Sequence, residues 1–132
     1  MSRRNGFSQQ FEAKSELNRA ISYHQNGQLR PAEQIYRNIL ESHPKNAEVL
    51  HLLGLLTWQT GQCEVAIDLI RQASRIRPEK TLFLRDLARF LNSTGCLNQA
   101  IQAYQQALQV DPEDLTICRE LAFTLYQADR YD

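Results

Sequence analysis

Residues 47–78, AEVLHLLGLLTWQTGQCEVAIDLIRQASRIRP, carry the pattern from which the rest of the chain can be read. Leu50, Leu53, Gly54 and Thr57 recur at i, i+3, i+4 and i+7, the spacing of one helix face, which predicts a helix over about 47–60. Gly61-Gln62 breaks that period, because glycine admits the backbone angles a helix–helix turn needs. Ala66, Ile70 and Ala73 then form one stripe of a second helix over about 63–76. Pro78 stops it, since the residue before a proline is pushed out of the helical region. Gly54 and Ala66 are small where the two helices should cross, so their backbones can approach closely. A hairpin of this size leaves one apolar face uncovered and needs copies of itself on either side.

The copies recur every 34 residues without insertion or deletion. Gly27, Gly61 and Gly95 mark the turns, with Asp129 where the next would fall, and Pro44, Pro78 and Pro112 close each unit. Ala32, Ala66 and Ala100 share one column, followed four residues later by Tyr36, Ile70 and Tyr104. Ala20, Gly54, Ala88 and Ala122 form the small-residue column of the first helices. This pattern resembles the tetratricopeptide repeat, which places Leu-Gly, Ala, an aromatic and Pro at these offsets. Leu53-Gly54, Ala66, Ile70 and Pro78 match it, as do Leu87-Ala88, Ala100, Tyr104 and Pro112. The departures are mild: Leu50 and Leu84 stand for the usual tryptophan, and Thr57 for a tyrosine. The resemblance covers roughly residues 13–132 and implies an all-α right-handed superhelix of antiparallel helix pairs, with about seven helices. It is specific to a fold and carries no specific function.

Composition agrees. At 132 residues with 42% hydrophobic content, the chain can bury a continuous core as one domain. Its 15 basic and 15 acidic side chains cancel, so no bulk charge argues for nucleic acid or an anionic membrane. No apolar run approaches the ~20 residues of a membrane span, and the start does not lead into a secretory signal. The chain is therefore expected to be soluble and cytoplasmic.

In chain order, residues 1–12 form a polar extension with Phe7 and Phe11 four apart, read either as a helical cover for the first repeat or as a docking arm. Repeat 1 spans 13–46, with helices over about 13–26 and 29–41. Glu16 and Arg19 stand there where later repeats have leucines, which suits a capping repeat whose outer face stays wet. Repeat 2 spans 47–80. Repeat 3 spans 81–114, with helices over about 81–93 and 97–110, and Thr81 and Asp114 are candidate N-caps. Residues 115–132 supply the first helix of a fourth repeat, over about 115–128, and residues 129–132 read as the turn that follows. Leu121, Ala122, Leu125 and Tyr126 look like a helix expecting a partner. That suggests either a natural cap or, as favoured here, a piece of a longer protein, and it predicts self-association through this helix.

The search for chemistry is mostly empty. Cys63, Cys96 and Cys118 lack C-x-x-C spacing and are read as free thiols, so a zinc site has little support. No H-E-x-x-H, Gly-rich phosphate loop or nucleophile motif appears. Neither a catalytic role for this chain nor a metal or cofactor is expected.

What remains is a surface. The family resemblance implies that the first helices of each pair line the concave side. Read by phase, their inward stripes offer Leu17, Ile21 and His24; then His51, Leu55 and Trp58; then Arg85, Arg89 and Asn92; then Arg119, Phe123 and Tyr126. The last nine of these form the expected groove, with Trp58 set beside Arg85 and Arg89. Aromatics and arginine are enriched at binding hot spots, and guanidinium forks suit carboxylates. Each residue has a structural alternative as well: Trp58, Leu55 and Phe123 as inter-repeat core, Arg85 and Arg89 as a solvated face balancing Asp86.

Two better-known versions of the fold fit poorly. The positions of the chaperone-tail carboxylate clamp fall on Leu17, Ile21, Leu52, Leu82 and Asp86, or on His51, Leu55, Asp86, Thr116 and Glu120, and neither set can grip an acidic tail. The asparagine ladder of O-linked N-acetylglucosaminyltransferases survives only as Asn18, with Leu52, Asp86 and Glu120 after it. Even so, AISYHQNGQLRPAEQIYRNIL looks like the repeat arrays that precede bacterial glycosyltransferase or methyltransferase domains. The expectation is a protein- or peptide-binding module, with the recruiting or oligomerising arm of a larger bacterial transferase as the alternative.

Overall fold

The structure, a computed structural model, describes residues 6–131, with side chains for Glu12 and residues 14–130. Within them lie seven helices and no strand: α1 (Gly6–Gln25), α2 (Leu29–Ser42), α3 (Ala47–Gln59), α4 (Cys63–Ile76), α5 (Thr81–Ser93), α6 (Leu97–Val110) and α7 (Leu115–Tyr131). The expected bounds hold within a residue for α2 to α6. Helix α1 starts at Gly6, ahead of the first repeat, whereas the Phe7 and Phe11 side chains lie outside the described residues.

Each hairpin closes in one way. Gly27, Gly61 and Gly95 sit at φ +79°, +85° and +83°, the left-handed region that side chains with a Cβ avoid. At the central turn the Gly61 N–H donates to the Trp58 carbonyl at 3.1 Å and the Gln62 N–H to the Thr57 carbonyl at 2.9 Å, so the last carbonyls of α3 are satisfied as the chain reverses. Asp129 stands where a fourth glycine would, and α7 runs through it to Tyr131 instead of turning. The turn expected over 129–132 is thus not formed among the described residues.

Capping departs from expectation at one place. Asp114 accepts from the Ile117 N–H at 3.1 Å, and Asn46 does the same for Val49 at 3.2 Å. Thr81, however, is already the first helical residue of α5; the cap position is Lys80, which makes no side-chain cap bond. Thr81 shares its register with Ala47 and Leu115, one step inside the helix.

The helices stack in chain order, each packing on the next. Interactions between residues 31–35 apart join α1 to α3, α3 to α5 and α5 to α7, so the first helices form one layer; a bond from Arg71 to Gln99 links α4 and α6 in the second. The core runs between the layers. One cluster gathers Ala20, Ala32, Tyr36 and Leu53, and another gathers Ala66, Ile70, Ala88, Ala100 and Tyr104. Where α3 crosses α4, a Cβ on Gly54 would lie 2.5 Å from Ile70 Cγ1 and 3.3 Å from the Ala66 carbonyl. The other pairs set Ala20 against Tyr36 and Ala88 against Tyr104. Of the three, only the repeat with the β-branched Ile70 at that position has glycine in the small-residue column.

Candidate partner-binding groove

The inward stripes of α1, α3, α5 and α7 meet edge to edge. His24 lies 3.1 Å from the Tyr36 hydroxyl and 2.6 Å from Gln59 Oε1, tying α1 to both α2 and α3. His51 is buried, 2.7 Å from Asp86 of α5, and its ring is tilted against Phe83 at 4.7 Å between centroids. Trp58 stacks on Phe90 with centroids 4.1 Å apart and planes 2° from parallel. Asn92 donates to the Thr124 hydroxyl at 3.0 Å. The Nε of Arg89 donates to both Glu120 oxygens, at 3.0 and 3.1 Å, and the same guanidinium lies 3.7 Å from Asp86.

These contacts join into one polar chain. His51 meets Asp86, Asp86 meets Arg89, Arg89 meets Glu120, and Glu120 accepts from the Tyr104 hydroxyl at 3.1 Å. Its links differ in burial. The His51 and Asp86 side chains are 8% and 12% exposed, whereas Arg89 and Glu120 are 44% and 23% exposed. A solvated pair like the second is worth about 0–1 kcal/mol; the chief effect of the chain is to fix how one repeat sits on the next. The Glu120 hydrogen bond raises Arg89 above its ordinary value. Burial, and then the Glu120 charge, raises the Tyr104 phenol; burial, and then Glu48, pushes Tyr36 up to about 12.

The nine expected groove residues divide accordingly. His51, Arg89 and Asn92 are engaged by neighbouring repeats, and His51 is withdrawn from solvent. Trp58 and Leu55 are half-buried and pack against the core, which bears out the structural alternative for both while leaving part of each side chain accessible. The ring that Trp58 stacks on is Phe90, next in sequence to Arg89. Arg85 is half-buried, its Nε buried without a hydrogen-bond partner. Arg119 is exposed and makes no ion pair among the described residues, while Phe123 and Tyr126 are 59% and 61% exposed. Asp86, expected to balance Arg85 and Arg89, lies 3.7 Å from Arg89; sequence reasoning missed it as the partner of His51, and missed Glu120 and Phe90 altogether as partners. A signal was present: acids at 86 and 120 occupy the column where the sugar-transferase ladder has asparagines, one repeat after basic residues at 51 and 85.

The three cysteines are free, Cys96 exposed and the others half-buried. Among the described residues no group of His, Cys, Asp or Glu is placed to hold a metal ion, and no helix is long and apolar enough to cross a membrane.

Comparison with known proteins is consistent with this geometry. The pattern described as "Tetratricopeptide repeat" matches residues 17–81, and that described as "TPR repeat" matches residues 90–129. No curated protein sequence matches the chain. Among solved structures, MamA superposes with a TM-score of 0.81 at 17% identity, over 89% of this chain and 68% of that one. The first such domain of Spaghetti, bound to an HSP90 peptide, gives 0.80 at 15% identity over 89% of this chain and 93% of that one. An O-GlcNAc transferase from Thermobaculum terrenum gives 0.77 at 26% identity, over 95% of this chain but only 23% of that one. With its 34-residue register, glycine turns and stacked helix pairs, the chain belongs to the tetratricopeptide-repeat family, a class of protein-interaction modules.

Proposed function

We propose that the chain binds a partner segment in its concave groove, anchored on Phe123 and Tyr126 and oriented by Arg119 and Arg85, with Trp58 and Leu55 extending the apolar floor. The observation that carries this reading is the α7 stripe: two aromatics left more than half exposed, one and two turns from an arginine that makes no ion pair among the described residues. Desolvating such rings against an apolar anchor supplies most of the affinity at hot spots, while the guanidinium sets orientation and encounter rate. The ligand that suits both is a peptide with an apolar anchor beside acidic residues. His51, Arg89 and Asn92 act in this scheme by holding the repeats in register. The neighbour that binds an HSP90 peptide supports a peptide role by fold alone.

A peptide-array screen tests the reading. Phe123→Ala should weaken the selected peptides about 30-fold, roughly 2 kcal/mol, with an unchanged helical spectrum. Arg119→Glu should weaken them most at low salt, since screening already removes part of the attraction at higher ionic strength. Retention of every peptide by both variants would place binding elsewhere.

Two companion proposals rest on their own observations. Ala122 and Leu125 are exposed on α7, which supports self-association there; sedimentation at rising concentration should show it, and Leu125→Asp should abolish it. The 26% identity to the transferase array supports the recruiting-arm alternative, although Asp86 and Glu120 of its ladder column are committed to internal bonds. A reading frame continuing into a glycosyltransferase or methyltransferase domain would establish that alternative.

A further inference from the structure

We propose that α7 of a second copy lies antiparallel on α7 and closes the partner groove, so that self-association and partner binding exclude one another. The inference rests on the two readings of α7 given above, and adds that both draw on the same side chains.

The open face of α7 is one that takes a helix. In α3 the positions equivalent to Cys118, Ala122 and Leu125 are Leu50, Gly54 and Thr57, and in α5 they are Leu84, Ala88 and Leu91. All six are buried, and each of these two helices packs against the one that follows it. No described helix does this for α7. Ala122 is exposed there, and Leu115 and Leu125 are 76% and 46% exposed.

The same helix, turned over, fits that face. At about 100° per residue, Leu115 falls almost in line with Ala122, with Arg119 and Tyr126 about 40–60° to one side and Cys118 and Leu125 about 40–60° to the other. A two-fold axis at Ala122 sets each flank against its own copy, with the chain direction reversed. Ala122 then meets Ala122, small enough for the backbones to approach closely. On one flank Arg119 comes level, to within a residue, with Tyr126 of the second copy; on the other, Cys118 comes level with its Leu125. Arg119 makes no ion pair among the described residues, and a guanidinium is drawn to the face of an aromatic ring. The two-fold axis makes this contact twice.

The pairing uses up the groove. A packed helix covers an arc of about 100° on its neighbour, which takes in both Arg119 and Tyr126. The second copy's ring stands where the apolar anchor of a peptide would stand. The grip is also weak enough to be displaced. Helix α7 has 17 residues, about 25 Å of length. A strip of that size buries on the order of 500 Å² per copy, below the roughly 800 Å² per partner of stable complexes.

The test pairs sedimentation of the whole chain with fluorescence anisotropy of a labelled Glu-Glu-Phe-Glu-Glu peptide, which sets an apolar anchor among acids. Tyr126→Ala should weaken self-association by about fivefold or more. Arg119→Ala added to it should weaken it less than about twofold further, since the two side chains form one contact. Leu125→Asp should stay monomeric and bind the peptide saturably. Where nine-tenths of the wild type is paired, the peptide should bind it about tenfold more weakly than it binds Leu125→Asp, because only the monomer is competent. Saturating peptide should return the wild type to monomer. A dimer that binds the peptide as tightly as Leu125→Asp does, or that stays paired in its presence, overturns this inference alone. So does a dimer indifferent to Tyr126→Ala. A wild type that is monomeric throughout removes the self-association reading, and a Leu125→Asp chain with no affinity for the peptide removes the groove reading; either result takes this inference with it.

Discussion

Where α3 meets α5, Trp58 lies flat on Phe90; where α5 meets α7, Asn92 donates to Thr124 from the same two places in the register. At the first of these junctions a buried histidine meets a buried aspartate. At the second, Arg85, 34 residues after His51, makes no ion pair, and Glu120, in register with Asp86, is taken by the more exposed Arg89. The backbone geometry repeats but the chemistry filling it does not. The inner junction excludes water, and stacked rings add about 0.5–1.5 kcal/mol beyond the area they bury. The outer junction is a wet network that fixes orientation more than it stabilises. The small-residue column shows the same gradient, with Ala20, Gly54 and Ala88 buried and Ala122 exposed because no described helix covers it.

The largest test of the contrast sits in that column. Gly54→Leu drives a side chain into Ile70, where even a Cβ would come within 2.5 Å, and should cost about 3 kcal/mol of stability by urea unfolding. Ala122→Leu, in the same register on α7, should change stability by no more than about 0.5 kcal/mol. Equal losses would mean that the outer helix is as tightly packed as the inner one.

Alkaline unfolding is the next largest. Tyr36 is raised from near 10 to about 12 by burial, so the folded state holds its phenol proton where the unfolded chain releases it. Stability should be undiminished below pH 10 and then fall by about 1.4 kcal/mol per pH unit up to about 12. Tyr36→Phe should remove this part of the slope in urea midpoints measured from pH 9 to 11.5. Tyr104 is also raised but donates to Glu120 in the wetter junction. Comparing Tyr36→Phe with Tyr104→Phe shows which junction yields first to base.

Removing one acid from each junction gives the third contrast. Asp86→Ala leaves His51 buried without its partner and should cost about 2 kcal/mol. Glu120→Ala frees an Arg89 that water already reaches, and should cost under about 1 kcal/mol. Urea unfolding of the two variants at one pH measures the difference.

What could be read in the sequence was what each residue settles within its own turn. The i, i+3, i+4 stripes placed five helices to within a residue, and Gly27, Gly61 and Gly95 placed the turns, because helix period and left-handed backbone are local properties. The cross-repeat partners escaped. The Trp58–Phe90 stack joins positions 32 residues apart, an offset that a 34-residue repeat does not by itself encode. Charge sign was visible at Asp86 and Glu120, but not which arginine each would take.

The smallest expected effect concerns Asp129. It occupies the place of the three turn glycines, and α7 passes through it without turning, while the equivalent backbone after α1, α3 and α5 adopts φ near +80°. Aspartate in helical conformation so near a C-terminus is also the wrong charge for the helix dipole. Asp129→Gly therefore exchanges a mildly unfavourable charge for a backbone with more freedom to lose, a helix penalty of up to about 1 kcal/mol in an exposed interior and less at a fraying end. Global stability should shift by less than about 0.5 kcal/mol. The local readout is sharper: amide exchange over residues 127–131 should speed up severalfold while that of α3 and α5 does not change. Equal protection in both proteins would mean that the last turn of α7 is held by its side-chain contacts and not by the missing glycine.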